Sequence, residues 1–162
     1  MANVFDLVTG KEHVVAESSR LKATGAGHIY DLEMIKDTDN GTIVALGAHV
    51  EGQVYKAKDY AAGNKPYFVL TSPLAYNGKK VWSDEKYFYN AEGEIARAYE
   101  LYVDDIFTIS KNAFKGEPAV GKFVDAAYTV AEEAGSTGFV GEIIEEVIYT
   151  NSVSYRIRVV SL

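Results

Sequence analysis

The chain has no cysteine among its 162 residues. That excludes disulfides, thiolate metal sites and cysteine nucleophiles, and it leaves the redox compartment unreadable. Long apolar runs are missing too: nothing approaches the roughly 20 residues that a membrane-spanning helix requires. The opening "MANVFDLVTGKEHVV" lacks a basic n-region followed by an apolar core, so no export signal is expected and a soluble protein is predicted. Positive charge is scarce and scattered. With 16 Lys and Arg against 23 Asp and Glu the net charge is -7, which opposes a phosphate backbone and excludes nucleic acid as an expected partner. No Pro/Ser-rich linker, low-complexity tract or internal repeat divides the chain, so residues 1–162 read as one domain, large enough to bury roughly two thirds of its unfolded surface.

What is present points to β structure. The chain has 12 Tyr and 7 Phe against a single Trp, and Tyr, Val and Ile suit a half-buried pleated surface. Turn signals recur at short intervals: "VTGKE", "TDNGT", "AAGNKP", "YNGKK", "NAEGE", "FKGEP", "AGSTG" and "YTNSV". Between them lie about nine short runs rich in Val, Ile, Tyr and Phe, the pattern of a small barrel or sandwich with long loops. The strongest element is a C-terminal hairpin, "GFVGEIIEEVIY" and "VSYRIRVVSL" around "TNS". There Tyr155, Ile157 and Val159 alternate with Ser154, Arg156 and Arg158, which predicts one buried and one wet face. A second hairpin is expected from "IYDLEMIK" and "TIVALGAHV" around Asn40-Gly41, and a poorer first one from "VFDLV" and "HVVA". Two segments have helical character: "VYKAKDYAA", and residues 123–134, where Phe123, Ala127, Val130 and Ala134 fall near helical spacing while "KFV" reads as a short strand.

Candidate chemical motifs fail on inspection. "GEPAVGKF" places Gly116, Gly121 and Lys122 at the spacing of a phosphate-binding loop, but Phe123 stands where a Ser or Thr must ligate Mg²⁺, and "SKNAFK" is too polar for the preceding strand. A turn feeding a short strand is the expectation. In "DTDNG" the carboxylates Asp37 and Asp39 resemble the start of a calcium loop, yet the later ligand positions hold Gly41, Thr42 and Ala48. His13, His28 and His49 stand alone and are expected at the surface or in turns. Asp104 and Asp105, adjacent on a strand end, should point to opposite faces and not form an acid/base pair. "GAGH", Gly25 to His28, lacks the third glycine of a dinucleotide loop and reads as flexible linker. Glu142, Glu145 and Glu146 serve to keep a strand soluble. No catalytic, cofactor-binding or metal-binding residue is therefore assigned, no cofactor is expected, and the chain reads as a non-enzyme. A hydrolase triad assembled only in space is the weakest alternative.

Three stretches carry a resemblance: "FYNAEGEIARAYELYVDDIFTISKNAFKGEPAVGKFV" (Phe88 to Val124), "VFDLVTGKEHVV" and "KDTDNGTIVALG", with the closing "RIRVV". Their cadence resembles head decoration, or cement, proteins of tailed bacteriophages that infect Gram-positive bacteria. The resemblance brings no residue with an assigned chemical role. It implies a virion protein on the outer face of the capsid, made in the host cytoplasm, whose partners are the major capsid protein and neighbouring copies of itself. The competing expectation is a β-sandwich module that binds carbohydrate through exposed Tyr67, Tyr76, Trp82, Tyr87 and Tyr89. Residues 16–28, "AESSRLKATGAGH", contain one large apolar residue, Leu21, and so are expected to stay mobile. On that reading residues 1–28 form an N-terminal arm or hairpin that grips the capsid, and the β-body begins at Ile29.

Overall fold

A computed structural model describes residues 10–72 and 85–162. It is mainly β, as the composition predicts, with eleven strands, one short helix and two single 3-10 turns among those residues. Five strands close into a barrel: β2 (Ile29–Glu33), β3 (Ile43–Glu51), β4 (Val54–Asp59), β5 (Tyr67–Val69) and β6 (Ile95–Glu100), in the order β2-β4-β3-β5-β6. The others form a sheet ordered β1-β7-β11-β10-β8-β9, from β1 (Ala16–Arg20), β7 (Ile106–Ser110), β8 (Phe123–Val124), β9 (Val130–Ala131), β10 (Val140–Tyr149) and β11 (Ser152–Ser161).

The C-terminal hairpin forms as expected from its alternation. Thr150 and Asn151 take φ of +49° and +56° and join β10 to β11 as a two-residue turn with both central residues left-handed, the geometry that matches strand twist. Tyr155, Ile157 and Val159 are buried. Ile157 lies so close to the backbone of β10 that a Cβ on Gly141 would sit 2.6 Å from its side chain. Arg156 and Arg158 are only partly covered, but Ser154 is buried rather than wet. It lies opposite Ser110, where the chain at Val15 docks by donating its N–H to the Ser110 hydroxyl at 2.9 Å.

Three expectations need correction, and residues 123–134, open between strand and helix, resolve to strands. β2 and β3 exist but do not form a hairpin, because β4 lies between them, parallel to β2 and antiparallel to β3. Of Asn40-Gly41 only Gly41 takes positive φ (+88°), whereas the tight turn needs both. The loop is instead tied outward. Thr38 bridges to Asn90, Asn40 bonds the main chain of Thr71 and the Asn90 amide, and Asp37 accepts the Glu92 N–H. "VYKAKDYAA" is not helical: its first six residues are β4, whose main chain pairs on both sides and overrides local preference. Residues 123–134 hold two strands, β8 and β9, joined by a turn in which the Asp125 carboxylate accepts the N–H groups of Ala127 and Thr129.

The third correction concerns the arm. Residues 16–20 are β1, paired antiparallel with β7, and the next five, α1 (Lys22–Ala26), form a single helical turn closed by left-handed Gly27. "GAGH" is therefore the end of a helix, not a linker. The segment is short of apolar residues, yet it spends them well: Ala16, Leu21 and Ala23 are all buried, and main-chain pairing with β7 supplies the rest. The proposed strand "VFDLV" lies outside the described residues, and "HVV" carries no strand.

Two apolar clusters result. The barrel lumen is filled by Leu32, Met34, Val44, Ala57, Tyr67, Val69, Ala96 and Ala98. The larger cluster covers the inner face of the sheet, with Phe107, Ile109, Ile143, Tyr155, Ile157 and Val159, and it also takes Ile43 and Phe68 from the barrel strands. Phe68 and Phe107 meet across that junction with ring centroids 4.5 Å apart.

Candidate functional site

Among the described residues a cleft of about 620 Å³ runs along the seam between barrel and sheet. Its barrel wall comes from the Lys36–Ile43 loop and from Asp59–Ala62 after β4; its sheet wall comes from the Asp125–Tyr128 turn and from Thr137–Phe139. Its aspartates and Lys36 are engaged with each other, with His13 or with the main chain. Lys36 pairs with Asp59 at 2.8 Å. Asp39 accepts His13 Nδ1 at 2.5 Å and the Val14 N–H at 3.2 Å. Asp125 holds its own turn. Two tyrosines cross the seam: the buried Tyr128 hydroxyl donates to the Gly41 carbonyl, and Tyr60 Oη accepts the Phe139 N–H at 2.8 Å. Complete burial holds the Tyr128 phenol well above its ordinary pKa, which keeps it a neutral donor.

The motifs singled out from sequence scatter over the molecule. Gly116 and Gly121 both take positive φ (+101° and +91°) in a loop that leads into β8, and Lys122 pairs with Glu132 at 2.9 Å. The stretch is a turn feeding a short strand. Asp37 and Asp39 each serve a main-chain N–H. Asp104 is exposed and pairs with Arg158 at 3.2 Å. Asp105 is buried and accepts the N–H groups of Lys22 and Tyr102 at 3.0 and 2.8 Å, fastening α1 to the start of β7. Desolvation pushes its carboxyl up, against the pull of those two bonds. On the sheet's outer face Glu142 pairs with Arg158 at 2.9 Å and Glu145 with Arg156. Among the described residues no three His, Asp or Glu converge where they could hold a metal ion.

His28 and His49 are exposed, as expected; His13 is not, at 6% exposure. It is stacked on Tyr89 with ring centroids 4.9 Å apart, in addition to its bond to Asp39. A lone histidine followed by "VV" gave no signal for this, because the acceptor lies 26 residues away. The nearby Ser110 hydroxyl donates to Asn112 Oδ1 and accepts the Val15 N–H. The carbohydrate platform also loses a member: Tyr67 is 3% exposed and belongs to the barrel lumen. Burial, reinforced by the charge on Glu100, pushes its hydroxyl up to about 12. Tyr87 is half-buried, and Tyr76 and Trp82 lie outside the described residues.

A second polar group, unforeseen from sequence, closes one end of the barrel. The buried Glu100 carboxylate receives His28 Nδ1 at 3.1 Å and Lys65 Nζ at 3.5 Å, beside Tyr67. Tyr30 stands edge-on to both Tyr55 and Tyr67 near the same end. Like the seam, this is polar chemistry used to fasten β elements together. Comparison with family models, curated proteins and solved structures gives no match.

Proposed function

We propose that the chain is a structural virion protein that binds the outer surface of a tailed-phage capsid and stabilises or decorates it, without catalysis or cofactor. The observation that carries this reading is the use made of the seam cleft. Its two tyrosine hydroxyls bond across the seam between barrel and sheet, and its three aspartates are engaged within the walls or with the segment before β1, the arrangement expected of a rigid body that must keep its shape on a shell. The resemblance adds to it. The stretch Phe88–Val124 contributes β6 to the barrel and β7 and β8 to the sheet, so it runs through both layers of the molecule. The net charge of -7 favours the outer face over an interior packed with DNA. The partners are then the major capsid protein and adjacent copies of the chain.

The test is co-sedimentation of the purified protein with undecorated capsids assembled from the major capsid protein encoded alongside it. Saturable pelleting at a fixed number of copies per shell, without binding to phage DNA, is expected. Failure to pellet at micromolar concentration, or binding to the DNA, overturns the reading.

A further inference from the structure

β10 has neighbours on both sides only near its start. Gly141 and Glu142 lie opposite Val124 and Phe123 of β8. One step further, the Gly121 N–H donates to the Ile143 carbonyl at 2.8 Å and the Ile143 N–H to the Lys122 carbonyl at 2.9 Å. There the pairing stops. Gly121 turns with φ of +91°, and the Lys122 N–H closes a turn onto the Ala119 carbonyl, which carries the chain away. β10 continues through Ile144–Tyr149 with β11 on one side, and among the described residues no main-chain group pairs with its other side. Six residues at ~3.3 Å each give an open edge of about 20 Å.

The side chains along this edge differ from those of a protected one. β1, at the border of the sheet, is short and polar, "AESSR", and carries an irregularity between Ser18 and Arg20, devices that discourage strand addition. The β10 edge has its bulge earlier, between Ile143 and Glu145, and neither Lys nor Pro follows it. Ile148 is 70% exposed and stands opposite Val153, 37% exposed, so an apolar pair sits beside free main-chain donors and acceptors. The remaining charge is acidic: Glu146 is exposed and the Glu145 side chain is 52% exposed even with Arg156 against it.

We infer that Ile144–Tyr149 is a strand-addition site for an extended segment of another protein, continuing the row that β8 begins. The segment carries basic residues opposite Glu145 and Glu146 and an apolar residue against Ile148 and Val153. Main-chain bonds supply affinity in such a mode and alternate side chains supply selectivity. Charge selects against a second copy, because antiparallel self-pairing of this edge sets glutamates against glutamates on two chains of net charge -7. The inference does not depend on the capsid reading, since it rests on the edge alone.

The experiment uses the isotopically labelled full chain and two synthetic valine-rich peptides of equal length, one with an adjacent Lys-Lys pair to face Glu145 and Glu146 (the Lys-Val peptide) and one with Glu-Glu in its place (the Glu-Val peptide), each with Val two positions on to face Ile148. Amide hydrogen exchange is read residue by residue. The Lys-Val peptide is expected to slow exchange about tenfold or more at alternate amides within 144–149, and the Glu-Val peptide to leave them unchanged. Ile148→Lys is expected to abolish the protection while keeping the melting temperature. Glu146→Lys is expected to weaken the Lys-Val peptide and admit the Glu-Val one. Equal protection by both peptides, protection at Ala16–Arg20 instead, or full protection retained in both variants overturns the proposal. So does a concentration-dependent dimer of the free chain that protects the same amides.

Discussion

The barrel and the sheet are built from strands of similar composition, yet they end differently. In the barrel, β2 pairs with β4 on one side and β6 on the other, so the ring of hydrogen bonds closes. In the sheet, β1 and β9 stand at the borders and, among the described residues, part of β10 is open as well. The interiors differ in step: three alanines among Leu32, Met34, Val44, Val69 and one buried tyrosine in the lumen, more aromatics and branched aliphatics under the sheet. A closed ring bounds its interior and abolishes edges; an open sheet can extend its core and must manage its edges. The barrel is thus suited to stiffness and the sheet to contact, and the seam decides whether the two act as one body.

The sharpest way to break that unity is at Phe68, whose strand belongs to the barrel while its buried ring packs in the sheet's core against Phe107. Phe68→Ala is expected to cost about 3 to 5 kcal/mol through lost burial and a cavity at the junction. Denaturant unfolding followed separately by probes in barrel and sheet should show the transitions drawing apart. Coincident transitions and a loss under 1 kcal/mol would mean the junction does not couple the layers.

A smaller effect is expected from Tyr128→Phe, which removes the hydroxyl that crosses the seam and leaves the Gly41 carbonyl without its donor. The cost is about 1 to 3 kcal/mol. The same residue sets a pH dependence. The folded-state pKa of Tyr128 is raised by burial, and those of Tyr67 and Tyr149 are raised to about 12, by burial first and by neighbouring glutamates second. Above pH ~10 the unfolded chain releases these protons while the folded chain holds them. Stability is therefore intact below that pH and falls as pH rises through the folded values. Melting temperature measured from pH 8 to 11.5 should drop steeply beyond 10, and less steeply in Tyr128→Phe. A flat profile in the parent protein would contradict the burial of these phenols.

The least change is expected at the turn that looks like a phosphate loop. Lys122→Ala removes an exposed pairing with Glu132 and should shift stability by about 0.5 kcal/mol or less. Calorimetry with ATP should show no heat of binding in either form. Micromolar binding lost in the variant would return the loop to the list of functional sites.

The amino-acid sequence by itself determined what is local. Strand composition, the C-terminal hairpin with its inward Tyr155, Ile157 and Val159, and the turn character of Gly116 to Lys122 were legible because each depends on residues within a few positions of one another. Tertiary structure alone decided the partners. β4 became a strand because two distant strands flank it, and β1 became ordered because β7, some 90 residues on, offered its edge. His13 was buried by a carboxylate from another loop. Glu100 sits under the barrel's end because ring closure brings His28 and Lys65 to it. Periodicity records which face of a strand is apolar, but the energy that selects its neighbour comes from main-chain pairing and packing across long loops, which no short window of sequence contains.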